Sequence, residues 1–134
     1  MKLKLFVFLV FAALVLAGCG TGGQNSGITV GEVPAEYQGW ENPLGGPEAI
    51  EAGKQIYERT CAPCHGVTGK GDGPASASLV PPPVDFSELY PLVGEDYYYY
   101  VIREGVPGTS MVSWKSTLTD EEIYQVIAYV REFK

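Results

Sequence analysis

Two cysteines and the chain's single histidine fall within five residues, Cys61-Ala62-Pro63-Cys64-His65. A C-x-x-C pair has several chemical readings, and each makes a demand on the rest of the chain. A closed zinc site needs about four protein ligands, and beyond Cys61, Cys64 and His65 the only remaining thiol is Cys19, at the far end of the chain. A thioredoxin-like redox pair needs a strand–helix–strand context, whereas the flanks here read as helix and then glycine loop. A disulfide between Cys61 and Cys64 leaves the adjacent histidine without a role. The full pattern C-x-x-C-H is the attachment sequence of a c-type haem. Its thiols form thioethers to the two vinyl groups, and its histidine binds iron as the proximal axial ligand. With one histidine, the chain specifies at most one such haem.

The residues before this motif place the chain outside the cytoplasm. Lys2 and Lys4 form a short basic region, Leu5 to Ala17 is an unbroken apolar run, and Leu16-Ala17-Gly18-Cys19 follows. Basic, apolar and small residues in that order mark a secretory leader over residues 1–18. The run is shorter than the roughly 20 residues that span a bilayer. Its end resembles the lipobox of bacterial lipoproteins, which implies cleavage before Cys19 and a diacylglycerol on its thiol. Two acyl chains give stable anchoring where one does not. The expected location is the extracytoplasmic face of the cell membrane.

The formal charge of −7 becomes −9 once Lys2 and Lys4 are removed with the leader. Such a balance disfavours nucleic acid or an anionic membrane face as a partner. It permits a partner with a basic docking face.

Residues 19–46 divide in two. Gly20 to Gly31 carries five glycines and no apolar period, which reads as a flexible tether spanning roughly 17–21 Å. Glu32 to Pro47, with Pro34, Pro43, Tyr37 and Trp40, reads as an extended segment packed along the domain or against a partner. The folded domain is expected over 47–134. Pro47 and Glu48 suit a helix start. Ile50, Gly53, Ile56 and Tyr57 recur at helical spacing, so this helix runs to about Thr60 and delivers the chain into Cys61. Gly66 to Pro74 is loop, and Leu79 to Pro83 excludes helix or central strand. Gly94-Glu95-Asp96 opens a second helix with Tyr98, Val101 and Ile102 on its inner face, and Gly105 stops it. Thr119-Asp120-Glu121-Glu122 is a capping box. It starts a last helix with Ile123, Ile127 and Val130 on one stripe and Val126, Tyr129 and Phe133 beside it. No strand with alternating polarity is evident.

Over Pro47 to Lys134 the chain resembles the small monohaem cytochromes c. The resemblance implies an all-α fold of three to four helices wrapped around one covalently attached haem c. It implies that Met111, in Gly105-Val106-Pro107-Gly108-Thr109-Ser110-Met111, is the distal axial ligand. It is the only methionine after the leader. Thioether ligation raises the potential and blocks small ligands. Val112 stands where the family often has proline. The resemblance also implies that Gly53 and Tyr57 meet Tyr129 where the first helix crosses the last. It further implies that one of Pro81 to Pro83 accepts a hydrogen bond from Nδ1 of His65, which would orient the ring. Tyr97-Tyr98-Tyr99-Tyr100 exceeds what one buried face needs, so Tyr97 and Tyr100 are candidates for a docking surface.

The expected function is transfer of single electrons in a respiratory or photosynthetic chain, between redox protein partners and without a small-molecule substrate. The alternative is a fixed haem subunit of a quinol-oxidising membrane complex of the alternative complex III type. A haem enzyme or gas sensor needs an open sixth position, which Met111 fills, and a second acid–base group such as a further histidine, which is lacking.

Overall fold

The computed structural model describes residues 28–134. The expected leader over 1–18 and the expected lipidation of Cys19 lie outside the described residues. Among those described there are helices and turns but no strand. Three long helices carry the fold: α1 (Pro47–Thr60), α4 (Glu95–Glu104) and α5 (Asp120–Val130). Two single-turn helices, α2 (Ala62–His65) and α3 (Phe86–Leu89), lie between α1 and α4. None is long and apolar enough to cross a membrane.

The long helices begin and end where their terminal residues dictate. Pro47 opens α1 and Glu48 sits in its first turn, where a carboxylate complements the helix dipole. Gly94 and Gly105 flank α4. In α5 both halves of the capping box form: the Glu122 N–H donates to Thr119 Oγ1 at 3.2 Å, and the Thr119 N–H donates to Glu122 Oε2 at 2.8 Å. The single turn α3 falls within residues 84–93, to which the sequence pattern assigns no element. Its start is capped by Asp85, whose carboxylate accepts from the Ser87 N–H at 2.8 Å.

The α1–α5 crossing is the main packing contact of the molecule. A Cβ built on Gly53 would lie 1.8 Å from the Gln125 carbonyl oxygen and 3.1 Å from Tyr129 Cβ. Glycine is the residue that lets the two backbones approach this closely. One turn on, Tyr57 meets Tyr129 edge-on at 5.3 Å, a favoured arrangement of aromatic rings. Tyr57, Ile123, Val126 and Ile127 are the most deeply buried side chains.

The segment before α1 is a strap rather than a plain extended run. Pro34 to Gly39 forms a turn, with the Tyr37 N–H donating to the Pro34 carbonyl at 2.9 Å. The strap then lies along α4 and α5. Trp40 stacks on Tyr99 at 4.3 Å and 17°, and the Asn42 side-chain amide donates to the Tyr124 carbonyl at 2.8 Å.

This cover redistributes the four tyrosines. Tyr98, Tyr99 and Ile102 form the buried face of α4, and Val101 is only half-buried. Tyr99 is inside because Trp40 covers it. Tyr97 and Tyr100 do not stand out as a free aromatic pair. Tyr97 lines an internal cavity, and Tyr100 packs against Tyr37 at 5.3 Å. Consecutive helix residues point about 100° apart, so Tyr97 turns to the cavity and Tyr100 to the strap, each half-buried.

Candidate functional site

α1 hands its last turn directly to the cysteine motif. The Cys61 N–H donates to the Tyr57 carbonyl at 2.8 Å, and the His65 N–H donates to the Cys61 carbonyl at 2.9 Å. Residues 61–65 are thus one helical turn, in which positions three and four apart share a face. Cys61, Cys64 and His65 accordingly line the same cavity, about 600 Å³ in volume and mostly apolar. Both cysteines are free thiols and half-buried. Burial pushes the Cys61 thiol up from its usual range.

The turn is held from below and from the side. The Tyr57 hydroxyl, at the α1–α5 crossing, donates to the buried Gly66 carbonyl at 2.7 Å. The glycine loop then folds back on the motif: the Gly73 N–H donates to the Cys64 carbonyl at 3.2 Å, and the Gly71 N–H donates to the His65 carbonyl at 2.9 Å. Gly66 accepts a second bond from the Gly69 N–H, so losing the phenol does not orphan it. Tyr57→Phe is expected to cost about 1 kcal/mol, the net worth of one internal hydrogen bond. A shift of the denaturant midpoint at constant slope is the measurement that checks it.

Met111 arrives at the same cavity from the loop between α4 and α5. Its loop is tightly built. The Val106 N–H donates to the Met111 carbonyl at 2.9 Å, and the Met111 N–H donates to Thr109 Oγ1 at 3.0 Å. Gly105 has φ 78°, and a Cβ there would meet the Met111 carbonyl oxygen at 2.8 Å. The loop can therefore lie against the end of α4 only with glycine at this position.

His65 is the polar group inside this apolar space. Burial pushes its pKa down to about 4, so the imidazole is neutral, the form that ligates metals. Its ring stacks on Phe86 at 4.7 Å and 17°. Its Nδ1 is buried with no hydrogen-bond partner, which corrects the expectation of a bond to Pro81, Pro82 or Pro83. Those three prolines do line the cavity. However, Pro83 is drawn toward the glycine loop, its carbonyl lying 2.3 Å from where a Gly71 Cβ would be, and the Phe86 N–H donates to Gly69. Tyr98, which the sequence reading assigned to packing only, also lines the cavity, and its hydroxyl is likewise buried and unpartnered.

Two thiols, a neutral imidazole and a thioether around one apolar space fit a covalently attached haem, and they fit little else. No group of three histidine, cysteine or acidic residues that could hold a bare metal ion occurs among the described residues.

A family model described as cytochrome c oxidase, cbb3-type, subunit III, matches residues 48–130, more than half of the chain. The chain belongs to this family of c-type cytochromes. Such a domain implies haem c and suggests electron transfer. The all-α cytochrome c fold is likewise seen in solved structures. The reducing HAO-like protein complex Kustc0457/Kustc0458 of Kuenenia stuttgartiensis is similar, with a TM-score of 0.60 and 29% identity over 69% of this chain and 47% of that one. The KustC0563 c-type cytochrome is similar with a TM-score of 0.51 and 29% identity, over 61% of this chain and 96% of that one. Among curated proteins, quinohemoprotein alcohol dehydrogenase ADH IIB of Pseudomonas putida is 30% identical over 104 residues. This cytochrome spans 14% of that enzyme's length and about half of the first structure.

Proposed function

We propose that this cytochrome is a membrane-tethered monohaem carrier of single electrons. The reading is carried by one observation: Cys61, Cys64, His65 and Met111 all line a single, mostly apolar cavity. Cys61 and Cys64 would hold one haem c as thioethers, His65 would be its proximal ligand and Met111 its distal ligand. When bound, the haem supplies an iron that gains and loses one electron. The protein residues do the rest. His65 would enter as a neutral ring, and the Met111 thioether would favour the reduced state and occupy the remaining coordination position. The apolar lining excludes water. With His65 and Met111 both on the iron, no coordination position would stay open to a substrate.

Anchoring is the second part of the proposal. Cys19 would carry the lipid on the extracytoplasmic face, and Gly20 to Gly31 would form the tether. The partners are redox proteins. A fixed place within a larger assembly is the alternative, and the relatives favour keeping it. The matched family is described as an oxidase subunit, and one similar structure is a complex. The dehydrogenase holds its similar stretch within a much longer chain.

The test is a potentiometric titration of the full-length, haem-loaded protein extracted in mild detergent. A single one-electron transition is expected. A second transition, or turnover of alcohol or peroxide, would overturn the carrier reading. Sizing the same extract separates a free carrier from a subunit that co-migrates with others.

A further inference from the structure

Met111 sits on a loop, and a loop holds a ligand only as firmly as it is itself held. The segment after Met111 hangs from the end of α4, whose last carbonyls lack partners within the helix. The Trp114 N–H donates to the Ile102 carbonyl at 3.0 Å. The Arg103 carbonyl accepts from the Ser113 hydroxyl at 2.7 Å and from the Lys115 N–H at 3.3 Å. The Lys115 ammonium then turns back and donates to Glu104 Oε2 at 2.6 Å.

The other oxygen of the same carboxylate is also taken. Glu104 Oε1 accepts from the hydroxyl of Tyr37, a strap residue, at 2.8 Å. The Tyr37 ring packs on Tyr99 at 5.8 Å and on Tyr100 at 5.3 Å. One carboxylate therefore joins the strap to the segment that follows Met111. The Lys115 ammonium, and next the Tyr37 hydroxyl, hold the Glu104 carboxyl below its usual range, so it is a charged acceptor to both. Hydrogen bonds to ionised groups are the stronger kind. Arg103 lies 3.7 Å from the same carboxylate and also pairs with Asp120 at the start of α5.

We propose that the strap is a latch on the distal-ligand loop, in which Tyr37 acts through Glu104 and Lys115 to hold residues 105–115, and with them Met111, at the cavity. Tyr37 is a positioning residue: it touches neither cavity nor ligand. The effect at the iron rests on Met111 being the distal ligand, whereas the hold on the loop does not. Because the strap continues into the chain upstream, any contact that lifts it loosens the loop.

The experiment uses the full-length, haem-loaded protein as wild type, Tyr37→Phe, Glu104→Gln and the control Gln38→Ala, whose side chain bonds only to Val33 within the strap. Tyr37→Phe keeps the ring and its packing. Two signals are read: amide hydrogen exchange over residues 106–115, and the far-red absorption band of methionine-ligated ferric haem with carbon monoxide uptake by the ferrous form. Exchange at Trp114 and Lys115 is expected to quicken about three- to tenfold in Tyr37→Phe and Glu104→Gln, the effect of one net hydrogen bond. The band should weaken and carbon monoxide uptake should rise alongside, with Gln38→Ala unchanged. Wild-type exchange rates in both variants overturn the latch. A wild type that lacks the band and binds carbon monoxide overturns the Met111 reading instead, and the exchange rates still decide the latch.

Discussion

Gly53→Ala is expected to lower the melting temperature of this cytochrome by about 8–16 °C. Two effects compete at this position. Alanine is the better helix former by about 1 kcal/mol, so in an open stretch of α1 the change would stabilise. Position 53 is not open. The added Cβ would lie 1.8 Å from the Gln125 carbonyl oxygen and 2.4 Å from its carbon. Both are backbone atoms of α5 and cannot rotate away. The helices must separate along the crossing, which loosens the edge-on contact of Tyr57 with Tyr129. Overpacking against backbone atoms sits at the upper end of the usual range, about 3 kcal/mol, which leaves about 2 kcal/mol after the propensity gain, and each kcal/mol moves the midpoint of a domain this size by about 4–8 °C. Gly45→Ala is the control, because nothing lies within 4 Å of a Cβ there. It should stay within about 0.5 kcal/mol. Thermal melts of the haem-loaded proteins decide the matter. An unchanged or raised midpoint for Gly53→Ala would mean that propensity outweighs the crossing.

Local sequence rules account for the helices that have strong local signals and miss what depends on distant cover. Pro47, Gly94, Gly105 and the Thr119–Glu122 box are end signals that act within a few residues, and α1, α4 and α5 begin at such signals while α4 also ends at Gly105. The placing of Tyr99 is different. Helical spacing alone puts Val101 rather than Tyr99 on the inner face, and Tyr99 is covered by Trp40, fifty-nine residues upstream, together with Tyr37 and Tyr124. The site divides in the same way. C-x-x-C-H is a local pattern, and one helical turn brings its three side chains together. Met111 is named as a distal ligand by resemblance alone, and what the structure adds is its place in the cavity wall. The carbonyl expected on His65 does not reach its Nδ1, because where a backbone carbonyl points is a matter of chain path that no proline count reveals. The Tyr37–Glu104–Lys115 chain gave no signal at all. It joins residues sixty-seven and eleven positions apart, and nothing in a tyrosine, a glutamate and a lysine on a polar surface announces that they meet.

Met111→Ala in the haem-loaded protein is expected to convert a haem closed to carbon monoxide into one that binds it stoichiometrically when reduced. It should also lower the potential. The thioether is a soft donor that favours ferrous iron. Its loss leaves water or nothing at the sixth position, and the ferric state gains. Axial ligation sets haem potentials over roughly 0.8 V, so a downward shift on the order of 0.1 V or more is expected. The fold should tolerate the change better than most cavity-forming substitutions. Met111 is only half-buried, and its loop is fixed by backbone bonds to Val106 and by the Thr109 hydroxyl rather than by the thioether. Met111→His separates ligation from packing. It restores a sixth ligand, so carbon monoxide binding should fall again while the potential stays low, because imidazole lacks the preference of sulfur for ferrous iron. If the wild type and Met111→Ala both bind carbon monoxide when reduced and share one potential, Met111 is a packing residue in the cavity wall. The haem would then be five-coordinate, and a sensor or an enzyme would replace the carrier as the better account of this chain.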